Sequence, residues 1–141
     1  MSQGYKLIHE FEQISVGHSN LQVNQAGTSL TLGNDQSGDL VSLNSTAGSA
    51  ITLPAPAAGL NYSFLVSKAG NHAITAPGAK IVGNISVANY STAASLATGA
   101  AKTSLTFGSG VAVGDSFSLV SDGTLYFLRG VVSNANALSF A

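Results

Sequence analysis

A chain of 141 residues fits one domain and can bury roughly two-thirds of its unfolded surface, enough for a core without staples. Only 8% of it is charged, against about 25% in an average soluble domain, while 45% is hydrophobic, which argues against disorder. The net charge is −1, the basic residues are scattered at Lys6, Lys68, Lys80, Lys102 and Arg129, and cysteine is absent. Nothing here resembles a phosphate-neutralising stripe, a disulfide framework or a thiolate site.

Residues 1–19 stand apart. They carry Lys6, Glu10 and Glu12, two histidines, and the apolar residues Tyr5, Leu7, Ile8, Phe11 and Ile14 without clean periodicity. This stretch reads as an N-terminal arm or edge strand that needs another surface to bury against. It lacks the apolar core of a signal peptide, and no run reaches the roughly 20 apolar residues of a membrane helix. The expectation is a protein made in a cytoplasm, with no membrane or nucleic-acid partner.

Residues 20–141 read as one β domain. LQVN and SLTLG alternate apolar and polar residues around Ala26-Gly27, and DLVSLN repeats the alternation. AITLP places Ile51 and Leu53 on one face, and Pro54 and Pro56 stop the strand. NYSFLVSKAG is apolar enough to be central, with Tyr62, Phe64 and Val66 on one side. HAITAPG and KIVGNISVANY follow, Gly83 marking a bulge or bend. Residues 91–104, STAASLATGAAKTS, are equally compatible with a short alanine-favoured helix and a small-residue loop. SLTFG, DSFSLVSDG and TLYFLRGVVS complete the pattern, with Ser121-Asp122-Gly123-Thr124 as a hairpin turn. Eight to ten short strands at this spacing predict an all-β fold: an antiparallel β-sandwich or a jelly-roll-like barrel with an extended arm.

Sites for chemistry are scarce. His9, His18 and His72 have no metal-ligand spacing and read as exposed or interface histidines. No Ser sits in a G-x-S-x-G elbow. The loop GNDQSGD, residues 33–39, gathers Asp35 and Asp39 but lacks the distal Glu of a calcium loop, and reads as a β-hairpin turn with Asx-type hydrogen bonds. Asp115 and Asp122 occupy Gly-Asp and Asp-Gly turn contexts, which account for them without a carboxylate pair for glycoside hydrolysis. The sequons at Asn44, Asn61, Asn84 and Asn89 matter only in a secreted chain. The expectation is no enzyme, no cofactor and no metal.

Two stretches carry a resemblance: ITLPAPAAGLNYSFLVSKAGNHAITAPGAKIVGN, residues 51–84, and VGDSFSLVSDGTLYFLRG, residues 113–130. In them a strand ending in Leu-Pro leads through a Gly turn to an apolar strand, and a later Gly-Asp entry leads to LVSDG and an aromatic return strand. Together they resemble a module of bacteriophage virion proteins, found in capsid decoration (cement) proteins and in distal parts of tail fibres. Such modules often carry a Trp beside the Tyr of the return strand, where this chain has Leu125 before Tyr126. The chain, read as complete from Met1 to Ala141, has no shaft repeats or coiled-coil heptads, which suits a cement protein better than a fibre.

The resemblance implies a structural protein on the capsid exterior, assembled in the host cytoplasm, that binds the major capsid protein and itself, commonly as a homotrimer. It stabilises the mature head through many weak contacts. The arm, through Tyr5, Leu7, Ile8 and Phe11, is expected to lie along the capsid or a neighbouring copy. The alternative is a tail-fibre or head-appendage domain that binds a receptor or glycan through an exposed cluster of Asn and Tyr62, Tyr90 and Tyr126.

Overall fold

The computed structural model describes residues 22–88, 94–97, 100–108 and 110–141. The expected arm over residues 1–19, with Tyr5, Leu7, Ile8 and Phe11, and the residues His9, His18, Asn89 and Tyr90 lie outside the described residues.

Twelve strands follow in chain order among the described residues: β1 (Val23–Gln25), β2 (Ser29–Thr31), β3 (Leu40–Leu43), β4 (Ala50–Thr52), β5 (Asn61–Val66), β6 (Ala73–Thr75), β7 (Ile81–Val87), β8 (Ala94–Ala97), β9 (Ser104–Phe107), β10 (Ser116–Ser121), β11 (Tyr126–Val132) and β12 (Leu138–Phe140). They form two mixed sheets. The larger runs β1-β3-β5-β10-β11-β7-β8 and the smaller β12-β9-β6-β4-β2.

The wholly antiparallel pairing expected from the sequence is corrected. β1–β3, β3–β5, β7–β11, β2–β4 and β4–β6 are parallel. The cause lies in the chain path. β1, β3 and β5 belong to the larger sheet, while β2, β4 and β6 belong to the smaller. Parallel neighbours need a crossover, usually a helix. For the four parallel pairs among β1 to β6, a strand of the opposite layer serves as the crossover; β7 reaches β11 through β8, β9 and β10. The side-chain period of two is the same in both kinds of sheet, so alternation alone could not separate them.

Inward rows from both layers merge into one core. Tyr62, Phe64 and Val66 of β5 and Phe117 and Leu119 of β10 meet Ile51, Ile74, Leu105 and Phe107 of the smaller sheet. Phe64 stacks on Phe117 at 4.7 Å between ring centroids, and Phe107 of the facing layer lies 5.1 Å from Phe117. Each such side chain contributes on the order of 1.5–3 kcal/mol by leaving water. As expected, β5 is central, between β3 and β10, and β4 ends before Leu53-Pro54.

Two local expectations change, and one strand is added. Within residues 91–104, Ala94–Ala97 form strand β8, antiparallel to β7, in place of a helix or loop. Small residues suit a strand here because pairing with β7 supplies the backbone hydrogen bonds that propensity does not. The 33–39 loop is not a hairpin: it crosses from β2 in the smaller sheet to β3 in the larger, through a 3-10 turn at Asn34–Gln36. The short Leu138–Phe140 strand, behind a 3-10 turn whose Asn134 side chain accepts from Asn136 N–H, adds an edge to β9.

The Asp-Gly hairpin joins β10 to β11 as expected, with Gly123 at φ 104°. Gly83 is where β7 presses on β11. It sits at φ 130°, and a Cβ there would meet the Leu128 carbonyl oxygen and, at 2.8 Å, the Leu128 nitrogen.

Candidate functional site: the outer face of the larger sheet

Because side chains alternate along each strand, the residues between the core positions point away from the smaller sheet. The register aligns them in rows. Val23, Leu40, Ser63, Ser118 and Arg129 form one row across β1, β3, β5, β10 and β11. Leu65, Ser116, Val131 and Ser86 form a second, and Asn61, Val120, Phe127 and Val82 a third.

Four large apolar side chains are exposed among the described residues, and three of them lie in these rows: Val23 at 48%, Phe127 at 42% and Val131 at 48%. Arg129 is the one charge the rows contain. Two shallow depressions mark the face, one between Leu40, Leu65 and Val131, the other between Asn84, Val120 and Phe127, with Arg129 bordering both. The outer face of the smaller sheet is different in kind. Its rows are Thr31, Thr52, Thr75 and Ser104, then Ser29, Ala50, Ala73, Thr106 and Ser139, without a bulky apolar group or a charge.

The larger face can bury apolar area while desolvating few charges, those of Arg129 and of Asp122, which line one depression together. Charge-poor patches of this composition characterise the centres of protein interfaces. A contiguous apolar patch on an otherwise hydroxyl-rich surface also marks a contact site. Its signal was present in the sequence as strands apolar in both phases: Phe64-Leu65-Val66, Leu119-Val120, Tyr126-Phe127-Leu128 and Val131-Val132. Reading only the inward phase misses it.

Most of the residues singled out for chemistry have structural partners, and of these Asp122 also lines a depression of the candidate face. His72, expected to be exposed or at an interface, is fully buried. Its Nδ1 accepts from Ser49 N–H at 3.0 Å, and its Nε2 faces the Lys68 carbonyl at 2.8 Å. An amide can only donate, so the ring is neutral with its proton on Nε2, donated to Lys68. The correction follows from chain path: His72 precedes β6 directly under the loop that leads into β4. Asp115 is also buried. One oxygen accepts from Ala112 N–H at 3.0 Å, the other from Ser133 N–H at 2.9 Å and from the Ser133 hydroxyl.

Asp122 caps its turn by accepting from the N–H groups of Thr124 and Leu125 at 2.8 and 2.9 Å; these bonds hold its carboxyl below the usual carboxylate range. Asp39 accepts from the Asn24 amide at 2.6 Å. No group of three or more His, Cys, Asp or Glu that could hold a metal occurs among the described residues. Asn44 bonds Gln25 and Gly27, Asn61 bonds Ser37 and Gly59, and Asn84 is exposed on the candidate face.

The exposed tyrosine cluster is overturned for the two described members. Tyr62 and Tyr126 are buried, 6.5 Å apart between ring centroids, and donate to the carbonyls of Gly33 and Pro54 at 2.8 and 3.0 Å. Burial, then the neighbouring Tyr62, pushes the Tyr126 phenol up to about 12. Burial first, then the charges of Asp35 and Asp39, raises Tyr62 as well. An aromatic with a polar tip fits a strand core or a binding loop equally well, so composition could not decide between them.

Compared with protein-family models, curated proteins and solved structures, the chain matches none.

Proposed function

We propose that this chain is a non-enzymatic structural protein that binds the exterior of a bacteriophage capsid lattice and stabilises the mature head. The observation that supports this reading best is the outer face of the larger sheet, where Phe127 and Val131 flank Arg129 on β11 and Val23 is exposed at the β1 edge. We read the two layers as a β-sandwich rather than a jelly-roll barrel, since both sheets keep free edges among the described residues and half their pairings are parallel.

In this reading the partners are the major capsid protein and further copies of the chain, arranged as a trimer at a lattice symmetry axis. Contact is made by apolar and hydroxyl groups, and many weak copies together hold the shell. Binding to the mature lattice and not its precursor favours the mature state by mass action. With only Arg129 and Asp122 charged in the depressions of the face, attachment changes little with salt. The tail-fibre or appendage alternative drew on exposed tyrosines. With Tyr62 and Tyr126 in the core, no observation favours it.

The test is stoichiometry on purified virions of the phage encoding the chain. Hundreds of copies per particle, near one for each major capsid subunit, are expected. Three to a few dozen would point to an appendage, and none would end the virion reading.

A further inference from the structure

The described chain begins at Gln22, at the β1 edge of the larger sheet, and Val23 already belongs to the first row of the outer face. The 21 residues before it carry Tyr5, Leu7, Ile8, Phe11 and Ile14, more apolar surface than a lone segment can bury against itself. They also carry Glu10 and Glu12, two of the six acidic residues of the chain. The outer face offers the complement: Phe127 and Val131 flank Arg129 on β11, and Asp122 is the one acidic residue lining its two depressions.

The reach is sufficient. From β1 to β11 the sheet makes four inter-strand steps, about 19 Å. Gln22 lies ten positions after Glu12, and an extended chain of ten steps spans up to about 33–36 Å. A segment that continues from Gln22 over the face therefore brings its acidic residues to Arg129 with slack to spare. The face of the smaller sheet provides neither bulky apolar groups nor a cation.

We propose that, in the free protein, residues 5–14 seat on the outer face of their own larger sheet, with Glu10 or Glu12 paired to Arg129. The segment shields the exposed apolar side chains before any partner arrives. This inference goes beyond the capsid reading and does not depend on it, because it is tested on the free chain.

The absence of cysteine makes the test direct. Gln13→Cys is combined in turn with Ser63→Cys, Ser118→Cys or, as a control on the other face, Thr52→Cys in the full-length chain. Mild oxidation is followed by non-reducing electrophoresis and mass spectrometry. Intrachain disulfides to Ser63→Cys or Ser118→Cys are expected to form at least tenfold faster than to Thr52→Cys. Adding Arg129→Glu is expected to remove most of that preference, and Glu10→Lys with Glu12→Lys to restore it. Equal rates on the two faces, or crosslinks only between chains, would overturn the proposal. Circular dichroism of each variant verifies that the fold is kept. Copy number on virions then judges the capsid reading separately.

Discussion

Asp115 holds Ser133 by both its backbone N–H and its hydroxyl, and so ties the residue before β10 to the residue after β11. The pair closes the open end of the hairpin whose other end is capped by Asp122. A buried carboxylate is a poor choice for stability unless its acceptors are filled, and here Ala112 N–H supplies a further donor.

Asp115→Ala removes the acceptor of three part-buried hydrogen bonds, and a loss of about 1–3 kcal/mol is expected. Ser133→Ala removes only the hydroxyl bond and should cost about 1 kcal/mol. Urea denaturation of both variants, with unchanged slope, measures the difference. Equal effects would show that the backbone bond carries nothing.

His72 links two turns that lie far apart in sequence, through Ser49 N–H and the Lys68 carbonyl. Replacing it with Leu keeps the volume but leaves both groups without partners, for an expected loss of about 2–5 kcal/mol. His72→Gln, which offers one acceptor and one donor, should recover part of it. Denaturant midpoints rank the three proteins, and a His72→Leu variant as stable as the parent would show that the two hydrogen bonds contribute nothing.

Alkaline stability should follow Tyr126. Its folded-state pKa, near 12, lies above the ordinary value of 10.0, so the unfolded chain loses this proton first. The stabilisation is complete below about pH 10 and is lost as pH rises toward 12. Tyr62, also raised, acts in the same direction. Urea midpoints between pH 9 and 12 are expected to fall for the parent and to fall less for Tyr126→Phe (pH range spanning the two values).

Gly83 and Gly130 should not tolerate Ala. A methyl at Gly83 meets the backbone of Leu128, and one at Gly130 meets Ser116 and the Cα of Phe117, so strands would have to part. A loss above 3 kcal/mol or failure to fold is expected. Gly114→Ala, with a positive φ but nothing within 4 Å, should cost less. Expression and thermal melting of the three variants distinguish crowding from backbone strain.

The fold was legible where a strand had one wet side. Tyr62-Phe64-Val66 and Ile51-Leu53 were oriented correctly, and Asp122-Gly123 placed its hairpin, because alternation and turn chemistry are local. Partner choice is not local. The triplets Ser29-Leu30-Thr31, Ala50-Ile51-Thr52 and Ala73-Ile74-Thr75 stack in register as parallel neighbours. Their shared small–aliphatic–Thr pattern was the available sign of repeated turns of chain. The candidate face was legible only as a second apolar phase within strands already assigned to the core. His72 and Asp115 were hidden because burial of a polar residue depends on partners from distant loops.

The alternating path of β1 to β6 couples the two layers topologically. Each parallel pairing in one sheet encloses a strand held in the other, so neither layer can be completed before its opposite is in place. Contacts of this kind are distant in sequence, and folding that must wait for them is slow. The same lacing acts in reverse: β3 and β5 cannot be drawn from the larger sheet without pulling β4 out of the smaller. Opening between β3 and β5 is therefore expected to disturb both layers together, whereas the unlaced edge strands β8 and β12 can fray alone.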